Sequence, residues 1–141
     1  TGDLISPWAD VKMDVHNIPL EQNSFDVVIC NHVLEHVDDS NKVMREFYRV
    51  MRPGGWGIFQ VPIDNNNPNT IEDKSVTDPK EREKLYWQSD HLRLFGRDYG
   101  DRLSKAGFKV TESDYINELD PKLVERYALP KNEKVYFCEK I

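Results

Sequence analysis

No apolar run in this chain approaches the roughly 20 residues that a bilayer-spanning helix requires, which argues against a helical membrane anchor in these 141 residues. The opening residues also lack the basic, apolar, small-residue succession of a secretory leader, so a cytoplasmic setting without membrane contact is expected. Cysteine is scarce. Cys30 and Cys138 sit in separate apolar runs, a placement that points to two buried free thiols and not to a disulfide or a metal pair. Basic residues are outnumbered, with 19 Lys and Arg against 25 Asp and Glu for a formal charge of −6. Nucleic acid is therefore not an expected partner, because phosphate binding calls for clustered cations.

What remains has the patterning of a compact α/β chain. "ADVKMDV" alternates apolar and polar residues and ends at Asp14, as a short strand would. "FDVVIC" is a continuous, β-branched apolar run, the signature of a strand covered on both faces. After Asp39 or Ser40 as N-cap, "NKVMREFYRVMR" puts Val43, Phe47, Val50 and Met51 on one helical face, widened by Met44 and Tyr48. "PGG" stops that helix, and "WGIFQVPI" follows as a second buried strand. Strand, helix and strand in this order make a βαβ unit with its strands parallel. Residues 64 to 78 form a long polar loop. Short helices are expected in "DPKEREKLYW", "RDYGDRLSKAGF" and "DPKLVERYAL", and further strands in "FKVTESDY" and "EKVYFCEK". Residues 1–141 show neither a repeat nor a domain boundary, so one domain is expected.

"NHVLEHVDD" carries the one pattern that suggests a metal. His32, Glu35 and His36 spell H-x-x-E-H, which in zinc hydrolases requires both histidines one turn apart on a helix. Here the stretch leaves the end of a strand, so His32 falls at the strand exit, and only His91 or ordinary carboxylates could complete a site. No metal is expected.

Strand ends offer another reading, since open α/β sheets bind ligands at the carboxyl ends of their parallel strands. Asp3 could accept both hydroxyls of a ribose, and Asp14 an adenine amino group, with the N–H of Val15 donating to a ring nitrogen. Asn31 and His32 leave the central strand where the rest of such a ligand would pass. Each residue singly could be a loop cap; their order along the chain is more specific.

The segments "GDLIS", "MDVHNIPLEQNSFDVVICNHVLEHV", "EFYRVMRPGGWGIFQVP" and "HLRLFGRDYGDRLSKAGFKV" cover most of the chain. In that order they resemble class I S-adenosylmethionine-dependent methyltransferases, of the group that includes the ubiquinone and menaquinone C-methyltransferases. The resemblance implies a Rossmann-like sheet, mostly parallel with a C-terminal antiparallel strand. It implies S-adenosylmethionine as cofactor and methyl transfer to a small-molecule acceptor that the sequence does not identify. By it, Asp3 would bind the ribose, Asp14 and Val15 the adenine, Asn31 and His32 would line the methionine end, and Leu4 would also contact the cofactor. His36 and His91 stand as candidate catalytic groups at the acceptor, followed by His32 and Asp90. Residues 64 to 93 would form a lid, with Tyr86, Trp87, His91 and Phe95 either as an aromatic wall or as packing.

One departure is plain. Such enzymes open with a strand, a G-x-G-x-G loop and a helix, and this chain has none of the three; "PGGWG" follows a helix instead. The methyltransferase domain is accordingly expected to be incomplete at its N-terminal end, with an unpaired edge on "FDVVIC" and an oligomer formed through that edge. The alternative is a non-catalytic interaction or dimerisation module that has lost the cofactor loop.

Overall fold

The computed structural model describes residues 1–141. Two short strands, β1 (Gly2–Asp3) and β2 (Val11–Lys12), pair in parallel and stand apart from the main sheet. The main sheet holds β3 (Phe25–Asn31), β4 (Met51–Gln60), β5 (Lys109–Ser113) and β6 (Val135–Glu139) in the order β3-β4-β6-β5. β3 and β4 are parallel, and β6 runs antiparallel to both β4 and β5. Three of the four strands therefore point one way, and the C-terminal strand alone is reversed, as expected. No helix is long and apolar enough to cross a membrane.

Between β3 and β4 runs α1 (Ser40–Val50), begun by the Asp39 carboxylate accepting the Lys42 N–H. Its apolar stripe, Val43, Met44, Phe47 and Val50, is buried, each side chain contributing roughly 1.5–3 kcal/mol of transfer energy. The helix ends two residues before the expected stop. Arg52 precedes Pro53, a position that disfavours helical backbone, and Met51 is already extended and paired with Phe25. A second helix, α2 (Pro79–Tyr86), has proline in its first turn and is capped by Asp78. α3 (Tyr99–Lys105) closes at Gly107, whose φ of +115° and close approach to the Tyr48 ring suit only glycine. A 3₁₀ turn, Tyr115–Glu118, and α4 (Pro121–Arg126) link β5 to β6. The 3₁₀ turn has no counterpart in the sequence expectations.

The core joins α1 and α3 to one face of the sheet, where Phe59 stacks on Phe47 with centroids 5.2 Å apart and meets Phe108 at 5.3 Å. Val28 and Cys30 lean onto this cluster, and Cys138 lies within it; both thiols are free. Burial pushes each of them up to about 12, which makes them inert at neutral pH.

The opposite face corrects one expectation. "FDVVIC" is not covered on both sides: Phe25, Val27 and Ile29 are 38%, 39% and 62% exposed. They alternate with Val28 and Cys30, so they share the face away from α1, and no layer packs over them. The long polar segment after β4 is also not free. Ile63 bridges to Phe95 and Ile71 to Leu94, while Asp98 accepts both the N–H and the hydroxyl of Thr70.

Candidate functional site

The ends of β1, β2 and β3 carry the expected residues. Asp3 closes β1, and its Oδ1 accepts the N–H groups of Ile5 and Ser6, each at 2.8 Å. Those bonds, Ser6 first, hold its carboxyl below the usual range. Asp14, two residues past β2, accepts the His16 N–H at 2.8 Å and lies 2.7 Å from His16 Nδ1, and both bonds depress its pKa. In each carboxylate Oδ1 takes every one of these bonds, which leaves Oδ2 for a ligand. Leu4 is 56% exposed beside Asp3. The strand ends thus keep two ionised acceptors open.

Between the β1–β2 pair and β3 lies an open groove of about 540 Å³, lined by Val11, Met13, Val15, Val27, Ile29 and Asn31 among others. Of the expected cofactor residues, Val15 and Asn31 reach this groove; Asp3, Leu4, Asp14 and His32 are outside its lining. Asn31 ends β3 opposite Gln60, and the His32 N–H continues the ladder to the Gln60 carbonyl at 2.8 Å. His32 then turns into the left-handed region at φ 55°, which breaks the strand and starts the turn that carries Glu35 and His36.

That turn precedes α1, which begins only at Ser40, so the H-x-x-E-H pattern is not on a helix. Instead it is stitched to the segment before β5. The Leu92 N–H donates to the Glu35 carbonyl at 2.8 Å, and Arg93 donates through Nη1 to the carbonyls of Leu34 and Val37. Arg93 Nη2 reaches the Asp38 carbonyl at 3.1 Å and Glu72 Oε1 at 2.8 Å. The result brings His91 against His36, edge to face with centroids 4.7 Å apart. Both expected acceptor-side histidines therefore meet.

The sequence singles out Glu35 only within the H-x-x-E-H pattern and gives Arg93 no role, yet both are buried at this end of the sheet. A charged residue inside a turn next to an apolar strand is a usable signal for Glu35; Arg93 has none, because its partners are carbonyls distant in sequence. Of the expected aromatic wall, Tyr86 and Phe95 are fully buried packing, while Trp87 is 52% exposed. Trp87 lines a second cavity of about 300 Å³ beyond the end of β4, with Val61, Pro62, Pro130 and Tyr136.

Parallel strands joined in a βαβ unit and a reversed last strand make this the Rossmann-like sheet of methyltransferases. A family model described as a methyltransferase domain matches residues 6–59. The chain is 30% identical over 125 residues to a sterol 24-C-methyltransferase of Schizosaccharomyces pombe, covering 84% of this chain and 31% of that protein. It is 35% identical over 67 residues to a ubiquinone biosynthesis O-methyltransferase of Bordetella avium, 43% of this chain and 27% of the relative. Among solved structures, a Burkholderia thailandensis 1,6-didemethyltoxoflavin-N1-methyltransferase with bound S-adenosylhomocysteine superposes with a TM-score of 0.60 at 15% identity. That superposition covers 99% of this chain and 59% of the other. This chain is similar to the class I S-adenosylmethionine-dependent methyltransferases, and it spans 27% and 31% of the length of the two curated relatives.

Proposed function

We propose that this chain takes part in S-adenosylmethionine-dependent methyl transfer to a small-molecule acceptor. The observation that carries the reading is the pair of carboxylates, Asp3 and Asp14, each at a strand end with one oxygen tied to the backbone and one open. This donor set fits a nucleoside. A ribose diol needs a fixed ionised acceptor, and Asp3 is held ionised by the turn it caps. The adenine amino group needs a second acceptor, which Asp14 supplies, and the half-buried Val15 contributes apolar surface in the groove beside it. No glycine-rich loop faces the methionine end, where Asn31 and His32 are the groups at hand.

When bound, the cofactor supplies a methyl group made electrophilic by a positive sulfonium. The chain's own contribution is alignment and exclusion of water, and orientation alone lowers such barriers by ~7–11 kcal/mol. The cavity beside Trp87 gives a flat, partly apolar acceptor a place to lie at the end of β4, next to the strand that ends in Asn31. His36 and His91 form the polar side of this end of the sheet. Calorimetric titration of the 141-residue chain with S-adenosylhomocysteine tests the reading. Binding near micromolar is expected. A flat titration at millimolar ligand, with the chain folded by circular dichroism, sinks it.

A further inference from the structure

We infer that Glu35, His36 and His91 form a binding site for one divalent first-row transition-metal cation. One ligand atom from each residue lies within 4.8 Å of the others. Ligand atoms around a tetrahedral ion with bonds of about 2.1 Å are about 3.4 Å apart, so a small side-chain rotation closes the set. His36 is the ligand free to make it, with a third of its side chain exposed.

Glu35 is the independent argument. Its side chain is only 2% exposed, and neither carboxylate oxygen has a hydrogen-bond partner. His32 Nδ1 lies 3.2 Å from Glu35 Oε1, but its orientation makes no hydrogen bond, and the His32 ring is itself 59% exposed. Burying an uncompensated carboxylate is costly, so a protein keeps one there only with a proton or another cation to neutralise it. No Lys or Arg bonds it: Arg93, the buried cation nearby, directs both Nη groups to Leu34, Val37, Asp38 and Glu72, and its Nε–H, though unpartnered, makes no bond to Glu35. A dication does what these residues leave undone.

The histidines are prepared as ligands. His91 is buried, and its Nδ1 donates to the Tyr86 carbonyl at 2.8 Å, which fixes the tautomer and leaves the Nε2 lone pair free. His36 Nδ1 is 3.3 Å from Asp90 Oδ2, a carboxylate behind the imidazole as metal-ligating histidines commonly have. Two imidazoles and one carboxylate are a set for Zn²⁺, Co²⁺, Ni²⁺ or Fe²⁺, and a poor one for Mg²⁺ or Ca²⁺. The Leu92 and Arg93 bonds fix the backbone of the turn that carries Glu35 and His36 against the segment of His91 before any ion arrives. The H-x-x-E-H pattern therefore contributes two of the ligands, and its first histidine is replaced by His91. Such an ion would take the lone pairs that a proton acceptor needs, so ligation and a general-base role for His36 or His91 exclude each other.

The test is titration of the chelator-treated chain with Co²⁺, followed by calorimetry and by visible absorption. One Co²⁺ per chain is expected, with the absorption of a nitrogen and oxygen site and a rise in Tm. Glu35→Gln and His91→Asn should each weaken Co²⁺ at least tenfold, and His16→Asn should not change it. Because Glu35 and His91 are buried, the half-exposed His36→Asn keeps the test open should those variants unfold. No uptake by the parent chain overturns the site, as does unchanged Co²⁺ affinity in folded His36→Asn. The titration needs neither methyl donor nor acceptor, so its failure and that of S-adenosylhomocysteine binding are read separately.

Discussion

At the scale of single residues, two charged side chains stand in opposite surroundings. Asp14 faces solvent, and the proposed adenine contact relies on the oxygen left over from the His16 turn. Asp14→Ala should weaken S-adenosylhomocysteine at least tenfold in calorimetry, in line with the loss of a charged acceptor worth about 1.5–3 kcal/mol. An unchanged Kd would remove the adenine assignment. Arg93 is its opposite, 1% exposed and committed to three carbonyls and Glu72. Arg93→Met leaves those acceptors and the Glu72 carboxylate without a partner, and should cost about 3–5 kcal/mol in urea denaturation. A loss under 1 kcal/mol would show that the turn at Glu35 holds without its clamp. The difference in legibility has the same origin. The turns at Asp3 and Asp14 can be read because each carboxylate bonds only residues two or three positions on, whereas Arg93 acts on carbonyls 55 to 59 positions away.

Among the elements, α1 and the core of β4 follow from local pattern, a stripe at helical spacing and an apolar run from Trp56, although β4 begins earlier, at Met51, and takes in the Pro53–Gly55 stretch expected to precede it. β3 shows where that logic stops. An apolar run states that a strand can be buried on both faces; whether it is depends on a neighbouring layer elsewhere in sequence. The loop before β3 is likewise fixed from a distance. Glu46 on α1 accepts the Ile18 N–H at 2.9 Å, and Arg49, bonded to the same carboxylate, donates to the carbonyls of Ile18 and Leu20. The Arg49 bond, ahead of the Ile18 bond, holds the Glu46 carboxyl below its usual value. For Asp98, burial works against ionisation, but the bonds from Thr70 and Arg102 overcome it and the net direction is also down. Groups with depressed folded pKa values contribute stability above their unfolded values, near 4, and lose it as pH falls through the folded ones. Tm should therefore drop below about pH 4, and Glu46→Gln should make that acid limb shallower while costing about 1 kcal/mol at neutral pH. An acid limb of the same steepness in the variant would place the titrating groups elsewhere.

For the molecule as a whole, the unusual feature is a sheet that stops at β3. β4 bonds one edge of that strand, nothing bonds the other, and the β1–β2 pair stands across the groove without joining it. Phe25, Val27 and Ile29 present apolar surface on the same strand, continuous through the ladder with Trp56, Ile58 and Phe137. A free backbone edge next to an uncovered apolar face is a template for pairing with another chain. In solution the 141-residue chain should therefore self-associate in the micromolar range, seen as a sedimentation coefficient that rises with concentration. Ile29→Lys sets a charge at the most exposed of the three positions, where substitution disturbs little packing. It should shift the population to monomer with Tm changed by no more than a few degrees. A parent chain that sediments as a single monomer at every concentration would mean that β3 is no docking edge. If Ile29→Lys instead leaves a dimer intact, the chains meet through another surface, and the apolar face of β3 serves the groove alone.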